Sequence, residues 1–214
     1  MEQSFWESNL FQTLVMIITV FVTGIIYVLN KRNTLQAAAT ILKLQIKDIE
    51  ENIEVLKAEA IVGNSLSEQP LYYSKIIFEE NKWEKYSHMF ANKLSASDFE
   101  TIDKFFKVAQ EIKTQQVYIK MKIQESVNLK CFHYYQQQYN RINQTVLDKN
   151  ENKEQLCIMD LQYTKQLYNN SSFHIETWIP IEFRYGLEKG LNRYQKLSGS
   201  QAFHRLCKKG HIND

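Results

Sequence analysis

Glycine and proline are scarce: 6 Gly and 2 Pro in 214 residues, against roughly 15 and 11 at average usage. β-Sandwiches, barrels and Gly-rich nucleotide-binding folds need tight turns at short intervals, so the deficit counts against all three. Cysteine is also sparse. Cys131, Cys157 and Cys207 form an odd set without framework spacing, which fits a reducing compartment and not a disulfide scaffold. Charge of one sign is missing as well: 26 basic against 24 acidic residues leave +2, so no global field attracts nucleic acid. The patterns H-E-x-x-H, G-x-x-x-x-G-K-[ST], G-x-G-x-x-G, G-x-S-x-G and E-x-x-H are all missing, which leaves metalloprotease, P-loop, dinucleotide, hydrolase and di-iron chemistry without a sequence basis. What remains is an all-α protein of long helices, with 12 Tyr and 12 Phe for its core.

One long apolar run is present. No charged residue occurs from Ser8 to Asn30, and Leu10 to Leu29 reads LFQTLVMIITVFVTGIIYVL, about the 20 apolar residues needed to cross a hydrocarbon core. A cleaved secretory signal would carry a basic leader and small residues at its cleavage site. This leader carries Glu2 and Glu7, and the run ends in Tyr27, Val28 and Leu29. Basic residues flank only the far side, at Lys31, Arg32, Lys43 and Lys47. Because cytoplasmic flanks are enriched in Lys and Arg, the expected topology is a single-pass cell-membrane protein with residues 1–9 outside, a transmembrane helix over 10–30 in contact with lipid, and the rest in the cytoplasm. Three glycosylation-type matches, at Asn143, Asn169 and Asn170, lose their meaning in that orientation. Within the span Gln12, Thr19 and Thr23 form one polar stripe. Such groups bond across helix pairs in lipid for about 0.6 to 2 kcal/mol each, but Thr also bonds its own backbone, and the modest gain favours an unassociated anchor.

The pattern changes after Asn33. Ala39, Ile46, Ile53 and Ala60 fall at heptad position a, and Leu35, Leu42, Ile49 and Leu56 at d, so residues 31–61 read as a stem with a coiled-coil seam. Lys43, Glu50 and Lys57 at e, with Gln45, Asn52 and Glu59 at g, neither enforce nor forbid self-pairing. The seam residues Leu42, Ile46, Ile49, Ile53 and Leu56 serve either a homo-oligomer or packing inside the chain. If span and stem are one helix, Gln12 and Thr19 fall at b and Thr23 at f, away from the seam. Then either the helix breaks near Lys31 to Thr34, or the polar stripe is not a dimer contact.

Residues 62–71 read as a linker, with Pro70 suited to a first helical position. Residues 72–214 form the helical body, expected as a bundle of long antiparallel helices. Its first helix is predicted over Leu71 to Leu94. Ser97 and Glu100 match a capping box, predicting a helix from Asp98 that either continues past Asn150 in a long hairpin or breaks near Lys130 to Tyr135. Further helices are predicted over Glu154 to Tyr168, Pro180 to Leu197, and Ser200 to Lys209, the last closed by Gly210.

Chemistry is hard to find in this chain. His204, Cys207 and His211 share a helical face, but a standard second zinc pair is missing. Cys131 beside His133 is the thiol to probe first, whereas Cys157 lies in an apolar run that favours a buried, inert thiol. Tyr134, Tyr135 and Tyr139 read as an amphipathic face. The basic tail from Ile181 to Asp214 has seven cations and three acids. Only Lys208 and Lys209 are adjacent, short of the four to eight clustered cations of a lipid-binding patch, so it reads as a solvated face. No cofactor and no metal is expected, and nucleic acid is not an expected partner.

The resulting expectation is a membrane-anchored interaction or assembly protein: a tether, scaffold or adaptor. The alternative is a membrane-acting effector in which cytoplasmic assembly gathers the spans along Gln12, Thr19 and Thr23. An enzyme without known motifs ranks last. Charged replacement of Ile46 and Ile53 is expected to reduce self-association or destabilise the body; unchanged mass by light scattering together with an unchanged melting curve would remove the seam from this reading.

Overall fold

The computed structural model describes residues 9–62, 65–147 and 181–210, together with 158 and 162. The predicted helix over Glu154 to Tyr168 and the residue His211 lie outside them, apart from 158 and 162. The described elements are helical except for one short ladder. They are α1 (Asn9–Ala60), β1 (Ile61–Val62), β2 (Ser65–Leu66), α2 (Glu68–Tyr73), α3 (Lys82–Phe90), α4 (Ala96–Leu147), α5 (Ile181–Arg193) and α6 (Gln201–Lys209).

Helix α1 runs 52 residues without a break, about 78 Å at 1.5 Å per residue. Its N-terminal part is long and apolar enough to cross a membrane, with a mean hydropathy of 2.2 over its most apolar window and none of that window buried. Beyond Asn33 the exposure reverses along one stripe: Ala39, Leu42, Ile46, Ile49, Ile53, Leu56 and Ala60 are all 0 to 1% exposed within the single chain. At about 1.5 to 3 kcal/mol for each fully buried Leu or Ile side chain, this stripe is a large share of what holds the body together.

Where a loop was expected, β1 and β2 form an antiparallel ladder pairing Ile61 with Leu66 and Val62 with Ser65. Helix α2 then starts at Glu68, which puts Pro70 at the third helical position and not the first. Proline costs little there, because the first-turn N–H groups have no intrahelical partner.

The helix predicted over Leu71 to Leu94 is divided. It stops at Tyr73 and resumes at Lys82. Ser74 ends it: its hydroxyl donates to the Leu71 carbonyl at 2.6 Å, and its backbone N–H donates to Pro70 O at 2.9 Å. The irregular backbone that follows is satisfied by side chains from the long helices. Gln116, 0% exposed, donates to Ser74 Oγ at 2.9 Å and to Lys75 O at 2.8 Å, and accepts from Ile77 N–H at 3.2 Å. Asn52 Nδ2 donates to Ile77 O at 3.0 Å, and the Lys120 and Lys113 ammonium groups donate to Ser74 O and Glu79 O. Burial lowers the pKa of Lys120. This wealth of alternative partners is why an apolar stretch with helical spacing does not stay helical. Helix α3 then begins under an Asn81 cap, whose Oδ1 accepts from Trp83 N–H at 3.1 Å.

The cap of α4 also differs from expectation. Ser95 accepts the Asp98 N–H at 3.2 Å while its hydroxyl donates to Asp98 Oδ2, so the reciprocal pair is Ser95 with Asp98, two residues before Ser97 and Glu100. The helix continues 52 residues with no break near Lys130 to Tyr135. Helix α6 begins one residue later than expected, at Gln201, because Ser200 is its cap: Ser200 Oγ accepts from Phe203 N–H at 3.2 Å, and Gly210 closes the helix as expected.

Contacts divide the chain into two units, to both of which α1 and α4 contribute. The first contains residues 1–47, 81–104 and 196–214. Trp83 is buried in it, with its indole N–H on Asp103 Oδ1 at 3.1 Å and its ring 4.9 Å from Phe99. The second contains residues 48–80 and 105–195. In it α4 meets α5 through Glu111 with Arg193, Ile112 with Gly190, Gln115 with Gly186 and Tyr118 with Phe183. A Cβ on Gly190 would come within 2.8 Å of Ile112 Cγ1, so glycine sets how closely those two helices approach. Gln116→Met keeps the side-chain volume but strands the Lys75 carbonyl and the Ile77 N–H and leaves Ser74 Oγ only its bond to Leu71 O. We expect a loss of about 3 kcal/mol in urea unfolding and faster amide exchange at Ile77; an unchanged midpoint would show that water replaces the latch.

Candidate basic cavity

The face of α1 that carries the seam continues toward the apolar segment. Counting heptads back from Leu35 and Ala39 puts Val28 at d and Arg32 at a, so the buried stripe is prolonged by a cation. Val28, Lys31, Arg32 and Leu35 share one helical face by their spacing of three and four. Together with His88 and Met89 of α3, Asn92 and Lys93 of the following turn, and Lys208 and Lys209 of α6 they line a cavity of about 930 Å³. All ten residues belong to the first unit.

The lining has a definite electrostatic character. Lys31, Arg32, Lys93, Lys208 and Lys209 contribute five positive charges, and among the described residues no carboxylate lines the cavity. Among the described residues none of these five forms an ion pair. All five are exposed, while Leu35 and Met89 are half-buried. Part of this arrangement has a local cause, since Lys208 and Lys209 occupy the last turn of α6, where cations oppose the helix dipole. That cause does not extend to Lys31, Arg32 or Lys93.

Helix α6 is held where it presents its lysines. Ala202, Phe203, Leu206 and Cys207 are buried on one face, which leaves Lys208 and Lys209 outward. Arg205 Nη1 meets the Asp98 carboxylate at 2.8 Å. Asp98 is 5% exposed. Its pKa is lowered chiefly by the Ser95 hydroxyl, then by the Arg205 hydrogen bond, against an opposing effect of burial.

The expected seam and stripe residues all lie on α1. Leu42, Ile46, Ile49, Ile53 and Leu56 are buried in their own chain. The flanking heptad positions are also used there: Gln45 Oε1 accepts the Lys82 N–H at 3.0 Å, Asn52 bonds Ile77 O, and the Lys57 ammonium lies 5.2 Å from the Tyr194 ring centre. Burial, followed by the charges of Glu50 and Glu54, raises the pKa of the Tyr194 phenol. In the apolar segment Thr19 donates to Val15 O at 2.8 Å and Thr23 to Thr19 O at 2.7 Å. Since α1 is continuous, Gln12, Thr19 and Thr23 lie off the seam face. Cys131 is exposed and Cys207 buried, and His204 points outward, so Cys207 and His204 do not face one ligand. Among the described residues no group of three potential metal ligands occurs.

The basic cavity is the feature that sequence reading missed. Its cations come from three separate stretches, and the tail alone holds only one adjacent pair. The detectable signal is the repeat of basic residues at positions 31 and 32, 93, and 208 and 209, each beside a helix terminus or the end of the apolar run. No protein-family model, curated protein or solved structure matches this chain.

The acid behaviour of Asp98 tests how α6 is held. Its folded pKa lies below the unfolded value of about 3.9, so its contribution is complete above that value and is lost as pH falls through the lower folded pKa. Asp98→Asn should lower the urea midpoint at neutral pH and flatten its fall below about pH 4. Equal acid slopes for both proteins would assign the acid sensitivity elsewhere.

Proposed function

We propose that the chain is a single-pass membrane-anchored tether or scaffold. Residues 10–30 lie in lipid, the short N-terminus is outside, and the helical body is cytoplasmic. The observation that carries this reading is the continuity of α1: the same unbroken helix that exposes an apolar run at its start is buried along its seam further on. A rigid helix of this kind joins an anchor to a body without a hinge. The basic residues after position 30, and their absence before the run, support the orientation.

The body is an antiparallel helical bundle in this reading. Its support is the order of partners between α4 and α5, where numbers fall from 193 to 183 along one helix as they rise from 111 to 118 along the other. The stem seam packs inside the chain, and the use of Gln45, Asn52 and Lys57 within the chain favours that over pairing of two stems. Protein partners then dock on the outer faces of the body. The effector reading, with spans gathered along the polar stripe, draws no support from Thr19 and Thr23, whose hydroxyls bond their own helix.

Topology decides this reading. With a C-terminal tag, protease added to intact cells should spare the body and should digest it after permeabilisation, while carbonate washing should leave the chain in the membrane pellet. Digestion in intact cells, or release by carbonate, would overturn the proposal.

A further inference from the structure

We infer that the basic cavity holds the phosphate of an anionic lipid headgroup, so that the body is fastened to the inner leaflet at a second point beside the span. The inference rests on the membrane-anchored reading and deepens it by naming a ligand. Three observations carry it.

The first is depth. Twenty residues from Leu10 to Leu29 rise about 30 Å, the thickness of a hydrocarbon core. Lys31 and Arg32 therefore emerge about 3 to 5 Å beyond it, inside a headgroup layer several ångströms thick. The cavity begins at Val28, within the apolar run, and includes both cations.

The second is chemistry. Among the described residues five cations line the cavity without a carboxylate, and none of them forms an ion pair. A cluster of four to eight basic residues immediately cytoplasmic of a span is what attracts anionic lipid. A solvated face scatters its cations among acids, and the chain as a whole is nearly balanced in charge.

The third is shape. The charges surround a hollow of about 930 Å³ whose wall includes Val28, Leu35 and Met89. A free phosphate has no use for an apolar wall. A glycerophospholipid does: its phosphate meets the cations while its glycerol and first acyl carbons lie against Val28, itself in the apolar run.

The test uses the full chain in vesicles of phosphatidylcholine alone, or mixed with phosphatidylglycerol, with retained lipid counted by native mass spectrometry. The informative variant is Lys93→Gln with Lys208→Gln and Lys209→Gln, which leaves Lys31 and Arg32 to set topology. All three sites are exposed, and circular dichroism checks the fold. Each cation near an anionic surface contributes about fivefold to association, so the triple variant should lose on the order of one hundredfold in preference for phosphatidylglycerol. A charge-matched control, Lys47→Gln with Lys104→Gln and Lys189→Gln, should keep it.

Equal retention of the two lipids by the wild type, or equal loss in both variants, would overturn the cavity as a lipid site. Displacement of the lipid by inorganic phosphate at matched concentration would also overturn it and assign the site to a soluble anion. Failure of the chain to float with pure phosphatidylcholine vesicles would instead overturn the anchored reading, so the two failures are distinguishable.

Discussion

One helix must satisfy two surroundings. Over its first third α1 offers apolar side chains on every side, and beyond Asn33 it buries only one stripe. Because α1 has no break, the sequence at the junction cannot use a turn to change register. The change is made by composition alone: a helix apolar all round gives way to one apolar at two positions in seven. In the first unit Ala39, Leu42 and Ile46 of that stripe are buried, as are Trp83, Phe90, Leu206 and Cys207, and the cavity opens where the stripe passes from leucine and alanine to Arg32.

Much of this was legible in the residue pattern. The apolar run, the helical character of the chain and the stop at Gly210 all depend on neighbours within a few turns, and local pattern is what a sequence displays. Three features depended on groups far away in the chain. Residues 74–81 have helical spacing yet are unwound, because Gln116, Lys120 and Asn52 supply hydrogen bonds that compete with the helix. Both Ser95 and Ser97 are chemically able to cap α4, and Arg205 beside Asp98 favours the earlier one. The cavity needed three stretches of chain to be brought together, so two adjacent lysines near the C-terminus gave no measure of the local charge. Spacing alone does not say which chain fills a seam; the bonds that Gln45 and Asn52 make to Lys82 and Ile77 depend on residues 37 and 25 positions away.

The hydrogen bonds of Gln116 also illustrate how a polar side chain specifies a fold. A buried amide is costly unless every group is paired. This one is paired only when residues 74–77 adopt their irregular path, so alternative packings of the same apolar residues leave it unsatisfied. The close approach at Gly190 is the apolar counterpart: Ile112 occupies space that any larger residue would need.

An uninterrupted helix also transmits torsion. Each residue turns the chain by about 100°, and nothing between Val28 and Leu35 can absorb a twist. The azimuth of the apolar segment about its own axis and the direction faced by its seam are therefore a single variable. Whatever grips that segment on one side also aims what is attached at its other end.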